Sequence, residues 1–382
     1  MKQYILTNPM ATQRTSKAKI DQSDLKKAGV EPDKADVIYL GVDVHLRQQV
    51  VCRKVDGAAP QPAQRFGPEE FKLWVARQMK LAHKVVCCYE AGPFGYVLHR
   101  HLEKAGVECL VVRPQNWDTH GRRVKTDGRD ACALVEGLAR YKEGNNKALA
   151  VVTVPQEQVE QRRALTRYRE DLVKEVRRMA LGARGRALTQ GLELGHRWWR
   201  PKAWAVWLAK LPQWLSDILD CSREALLVLE RGVARCTEQI EALARPSQER
   251  PKGLGALSEQ IINNEVIDWG RFSNRGQVSS YTGLCPSEYS SGGSRRQGGI
   301  NRHGNRRLRT ALVEAAWRLM RHQPKWKRLE KVREKLLLAQ SGRGKPGSKK
   351  KIAVELARGL AVDLWRLNTG KATLQELGLE PA

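Results

Sequence analysis

The run VIYLGVDV (37–44) places the tightest limit on what this chain can become. β-Branched and aromatic residues dominate it, and that composition favours a buried strand. QQVVCRKV (48–55) follows after a short turn and reads as its hairpin partner. PEEFKLWVARQM (68–79) then switches to helical spacing, with Phe71, Trp74, Val75 and Met79 on one face. Strand KVVCCYEA (84–91), helix GYVLHRHLEKAG (95–106) ending on Gly106, and strand VECLVV (107–112) come next. A helix from about Asp127 to Tyr141 closes the block. A hairpin followed by alternating helices and strands predicts an α/β domain with a mixed sheet over 36–150, after a polar extension at 1–35.

Residues 155–250 carry no strand signal. Val159, Leu165, Leu172, Val176 and Met179 form a narrow apolar seam in a densely charged stretch, which predicts one long helix. A second helix is expected from about Ser222 to Leu243, making 151–250 an antiparallel helical hairpin. Trp198, Trp199, Trp204, Trp207 and Trp214 lie between the two, and packing between helices accounts for them better than base stacking. From about Pro251 to the end at 382 the chain reads as mainly α. It is broken by a Gly-rich polar island, SEYSSGGSRRQGGINRHGNRR (287–307), read as a basic loop, which the helix LRTALVEAAWRLMRH (308–322) follows. A second basic loop, SGRGKPGSKKK (341–351), lacks the G-K-[ST] ending of a phosphate-binding loop and follows a helix rather than a strand.

Composition narrows the function. Lys and Arg number 68 against 41 Asp and Glu, a formal charge of +27 that asks for a polyanionic partner, and nucleic acid is the usual one. The eight cysteines, Cys52, Cys87, Cys88, Cys109, Cys132, Cys221, Cys236 and Cys285, form no C-x-x-C pair. They read as small buried hydrophobes in a reduced compartment, not as zinc ligands or disulfides. The first residues hold no apolar run long enough for a signal peptide or a span, so a cytoplasmic protein without a membrane partner is expected.

Four carboxylates then stand out. Asp43 ends the first apolar strand, Glu90 ends another, and Asp127 and Asp130 open a helix in KTDGRDA, one turn apart on one face. Singly, each has an ordinary structural explanation: a turn for Asp43, a surface position for Glu90, a helix cap for Asp127. Together, in so basic a chain, they suit a pair of Mg²⁺ ions that stabilise the attacking and leaving oxygens of phosphodiester chemistry.

GVDVH, YEAGPFGY and RPQNWDTHGRRVKTDGRDA together resemble the RuvC-like domain of the DEDD transposases of the insertion-sequence one-ten family, the bridge-RNA-guided recombinases. The resemblance implies an RNase H/RuvC-like fold whose four acidic residues are Asp43, Glu90, Asp127 and Asp130. YTGLCPSEYSSGGSRRQGGINRHGNRRLRTALVEAAW resembles the second signature of that family, where a serine before a glycine attacks a DNA phosphate and forms a phosphoserine link. The matching nucleophile is Ser291, with Ser290 next. Glycines would let the backbone approach DNA, and Arg295, Arg296, Arg302, Arg306 and Arg307 would hold phosphate oxygens. One departure is Asn301-Arg302, where relatives carry a small hydroxyl residue and lysine. The resemblance further implies Mg²⁺, a structured guide RNA, and a dimer pairing into a tetramer, with the serine of one subunit meeting the carboxylates of another. His45, two residues past Asp43, suits either packing or a metal-bound water; His120 and His303 suit phosphate contact. Two other functions fit the residues: a RuvC-like nuclease that uses water, and a non-catalytic nucleic-acid-binding protein.

Overall fold

A computed structural model of the chain describes residues 34–115, 126–341 and 348–382. The polar extension up to residue 33, His120 and most of the second basic loop lie outside the described residues. The chain divides into two compact units, one ending at Val154 and the other starting at Pro155.

The first unit is built on a five-stranded mixed sheet. β1 (Ala35–Val44) pairs antiparallel with β2 (Gln49–Val55), which pairs antiparallel with the short β3 (Gln64–Phe66). On its other edge β1 runs parallel to β4 (Ala82–Glu90), and β4 parallel to β5 (Glu108–Val112), giving the order β3-β2-β1-β4-β5. The elements expected from the alternating pattern are all present; β3, three residues long, carries too little pattern to be read in sequence.

Strand alternation divides the core between the two faces. Ile38, Leu40 and Val42 of β1, with Val85, Cys87 and Tyr89 of β4, pack with Phe71 and Val75 of α1 (Pro68–Leu81) and Leu102 of α2 (Val97–Lys104). The opposite face takes Val86 and Cys88 against Leu134 and Leu138 of α3 (Asp127–Lys142). The odd-numbered β1 residues face α3 as well, and there Gly41 permits an unusually close approach. A Cβ at Gly41 would lie 2.3 Å from the carbonyl oxygen of Ala131 and 2.4 Å from the nitrogen of Val135, so helix backbone sits directly on strand.

The second unit starts with α4 (Glu157–Leu188), α5 (Pro201–Leu208) and α6 (Gln213–Glu241). α6 begins nine residues before the expected Ser222, because Pro212 caps it and Leu215 and Leu219 already belong to its buried stripe. α4 and α6 run antiparallel: Arg169 donates to Thr237 at 2.6 Å near one end, and Ala183 and Ala187 share a core with Leu215 and Leu219 near the other. Trp198, Trp199 and Trp204 are buried in that core, with Trp198 edge-on to Trp199 at 6.0 Å, so packing is their role. Trp214 departs from the pattern and is half exposed.

The remaining elements are α7 (Ala256–Val266), α8 (Arg275–Thr282), a β-hairpin, α9 (Arg306–His322), α10 (Lys327–Gln340), α11 (Ser348–Asn368) and α12 (Leu374–Leu377). Leu312, Ala315, Leu319, Trp326, Leu356 and Leu360 form the centre of their shared core. The polar island is not a loop. It folds as β6 (Pro286–Ser291) and β7 (Ser294–Ile300), paired antiparallel with Ser291 opposite Ser294. Gly292 and Gly293 make the two-residue turn at φ 55° and 83°, the left-handed pair that a tight hairpin turn requires. Five of the eight cysteines are buried, as expected; Cys221 is exposed. No helix among the described residues is long and apolar enough to cross a membrane.

Candidate metal centre and serine hairpin

In β1 and β4 Val42 lies beside Tyr89, so Asp43 and Glu90 are the next residues on neighbouring parallel strands. Alternation turns both toward α3, away from the face occupied by Val42 and Tyr89. The contact at Gly41 draws the first turns of α3 down onto this end of the sheet. Thr126 takes the N-cap position, which leaves Asp127 as the first helical residue, with Asp130 one turn on.

Ligand atoms of Asp43, His45 and Asp127 all fall within 4.8 Å of one another. His45 Nε2 lies 3.1 Å from Asp43 Oδ2 and 3.7 Å from Asp127 Oδ2. Burial holds the Asp43 carboxyl above the ordinary carboxylate range; His45 opposes that shift, while the charges of Asp127 and Asp130 add to it. Glu90 is not part of this tight group. Its Oε1 accepts a hydrogen bond from the backbone N–H of Gln115 at 3.3 Å. The structure thus gathers Asp43 and Asp127 directly, with Asp130 one turn along the same helix and Glu90 on the neighbouring strand. It also promotes His45, for which sequence spacing alone left packing open.

Ser291 ends β6 beside the Gly292–Gly293 turn; its side chain and that of Arg295 lie outside the described set. Ser290 Oγ donates to Glu288 Oε1 at 2.9 Å, and Tyr289 is 72% exposed opposite Arg296 in the ladder. Arg296, Arg302 and Arg306 are exposed, Arg302 at φ 59°.

Arg307 is different, and it corrects the expectation of a phosphate contact. Its guanidinium is drawn inward, with Nη1 2.6 Å from Glu170 Oε2 and Nε 3.1 Å from Glu265 Oε1. Glu265, at the end of α7, is completely buried. Arg167 meets it with two hydrogen bonds of 3.1 Å, Arg163 Nη2 lies 3.4 Å away, and Asn305 donates to it at 2.8 Å. Burial would raise the Glu265 carboxyl, but the hydrogen bonds from Arg167 and Asn305 and the arginine charges bring it below the ordinary value. Asn305 also caps α9, accepting from the N–H groups of Arg307 and Leu308. One buried carboxylate therefore ties the long helix α4 to the base of the serine hairpin.

Two family models match parts of the chain that include these regions. A family model described as Transposase IS116/IS110/IS902 family matches residues 249–331, and a second, of the DEDD transposases of the IS110 group, matches 40–189. The chain is 31% identical over 309 residues to y4rJ of Sinorhizobium fredii, a protein provisionally named a transposase, covering 74% of this chain and 76% of that one. The chain belongs to this transposase family. A second Sinorhizobium fredii protein of like name, y4qE, is 33% identical over 240 residues, 61% of this transposase and 58% of the relative. The transposase for insertion sequence element IS1111A of Coxiella burnetii is 26% identical over 234 residues, 59% and 63% of the two chains. The first family match contains the hairpin and the Glu265 hub, and the second contains all four acidic residues.

Proposed function

We propose that this transposase cuts and rejoins DNA strands at the ends of a mobile element, with Ser291 as nucleophile and an RuvC-like carboxylate centre of Asp43, Glu90, Asp127 and Asp130. The observation that carries the proposal is the convergence of Asp43, His45 and Asp127 within 4.8 Å at one end of a mixed sheet, in a chain of charge +27.

The donor set fits Mg²⁺. Carboxylate oxygens are the hard donors that ion takes, and Asp43 and Asp127 present them together. His45 is a softer donor, so its part is to hold Asp43 Oδ2 in place. A divalent cation bound there supplies charge stabilisation to phosphate oxygens.

At Ser291 the hydroxyl loses its proton as Oγ bonds to phosphorus, and the bond from phosphorus to the adjoining deoxyribose oxygen breaks, that oxygen taking up a proton. An incoming deoxyribose hydroxyl reverses the exchange. The number of phosphodiester links is conserved throughout, so no energy-rich cofactor is needed. Arg295, Arg296, Arg302 and Arg306 supply phosphate contacts near the turn. Family membership and the charge excess support a structured guide RNA as a second partner, and a dimer that pairs into a tetramer as the working form.

The test is a covalent-trapping assay with Mg²⁺, the flanking RNA and a labelled element-end duplex. A denaturant-resistant protein–DNA band is expected from wild type and from Ser290→Ala, and none from Ser291→Ala or Asp127→Ala. Nicked DNA without an adduct, lost only in Asp127→Ala, would instead make the enzyme a hydrolytic nuclease.

A further inference from the structure

A groove of about 740 Å³ opens in the second unit between the start of α8, α10 and α11, away from the residues of the serine hairpin. Arg275, Lys331, Arg358, Arg366 and Lys371 line it, and Glu355 is the single acid among its described lining residues. Five cations on four separate segments converge with one opposing charge. Arg328 also reaches the wall, but its charge is already matched: it donates twice to Asp363, at 2.7 Å each, and the same carboxylate accepts from the Trp326 indole at 3.0 Å. That buried clamp fixes α10 to α11 and leaves the other five cations facing the groove without being needed for it.

Two further features suit an anionic polymer. The first turn of α8 forms part of the wall, adding the positive end of a helix. Trp365 lines the groove, carries Lys371 Nζ 4.2 Å from its ring centre, and its indole N–H finds no acceptor among the described residues. A single free phosphate would neutralise at most two of the five cations. A phosphodiester backbone passing along the groove presents one charge per nucleotide and matches the set.

We propose that this groove is a second nucleic-acid site, gripping phosphodiester backbone independently of the serine hairpin. DNA and RNA share that chemistry, so the test has an arm for each. Binding of full-length protein to a duplex DNA and to a structured RNA is followed by fluorescence anisotropy across a salt titration. Wild type is compared with the exposed-cation triple variant Arg275→Gln/Lys331→Gln/Lys371→Gln, and with a control triple on the helical hairpin, Lys202→Gln/Arg231→Gln/Arg235→Gln. Each lost phosphate contact lowers the slope of log affinity against log salt by about one, so the groove variant should lose about three on at least one probe. The control should lose less than about one. Loss on duplex alone assigns the groove to DNA, loss on RNA alone to RNA, and loss on both to backbone of either kind. A groove variant no different from the control on both probes overturns the proposal. Because the readout is binding and not adduct, the outcome is separable from the fate of the Ser291 assignment.

Discussion

The carboxylate cluster and the serine hairpin are placed by opposite means. Asp43 and Glu90 end two strands whose preceding residues are buried, and Asp127 rides on a helix whose backbone touches Gly41. Backbone packing brings these elements together, and the hydrogen bond between His45 and Asp43 adds to it. Ser291 stands on an exposed two-stranded ribbon, a structure of marginal stability by itself. What fixes the ribbon is at its base: Asn305 and Arg307, both held by Glu265. A site set in a sheet needs shape, whereas a site raised above the surface needs a polar anchor. The anchor is therefore where the second region is most vulnerable.

Glu265→Leu tests this most severely. Removing the carboxylate takes from Arg163, Arg167 and Arg307 the buried charge they share, leaving Arg307 with Glu170, and breaking a buried pair in this way costs about 3–5 kcal/mol. The denaturant midpoint of the second unit should fall accordingly, while the first unit's transition stays in place. The pH dependence follows from the direction of the shift. The folded-state value of Glu265 lies below the ordinary one, so its contribution is present above about pH 4.3 and is lost as the pH falls through the depressed value. Glu265→Gln should flatten the wild-type loss of stability in that acid window. If both variants melt like wild type, the hairpin is not anchored through this carboxylate.

Gly41→Ala is the matching test of the packed site. The new Cβ would meet Ala131 and Val135 backbone at 2.3 and 2.4 Å, and overpacking of this kind costs about 1–3 kcal/mol. The thermal midpoint of the first unit should fall by roughly 2–4 °C for each kcal/mol lost. Moving α3 also moves Asp127 from Asp43, and a displacement of about 1 Å can cost about 100-fold in rate. Metal-dependent strand cleavage should therefore fall much further than stability does. Loss of stability with an unchanged cleavage rate would show that the helix contact does not set the cluster.

How far each region was legible follows from the same contrast. Strand and helix periods ran strongly from Val37 to Tyr141, which put Asp43 and Glu90 at strand ends and Asp127 and Asp130 on one helical face; that the two strands lie side by side in the register that aligns Asp43 with Glu90 came from the structure. The two-residue spacing already put His45 on the strand face of Asp43; its contact with the Asp43 carboxylate, one residue past the end of β1, is what the structure added. The serine hairpin is polar on both faces and shows no apolar alternation; its one signal was the Gly292–Gly293 pair between two short runs, the two-residue turn that favours a hairpin. Glu265 left no sequence trace, because Arg163 and Arg167 are 102 and 98 residues away along the chain. Nor could composition separate Arg307, which is an internal strut, from its exposed neighbour Arg306.

Gly293→Ala probes the smallest of these effects. A Cβ there meets nothing within 4 Å, so the cost is confined to the backbone at φ 83°, about 1 kcal/mol for a residue with a side chain. Because the ribbon is outside the core, that cost should appear as poorer definition of the turn and a lower yield of the Ser291 adduct, with the thermal midpoint nearly unchanged. Asn tolerates the left-handed region better, so Gly293→Asn should recover most of the adduct. A fall in midpoint as large as that of Gly41→Ala would mean that the ribbon folds cooperatively with the helical core. The two regions would then differ in chemistry alone and not in how they are held.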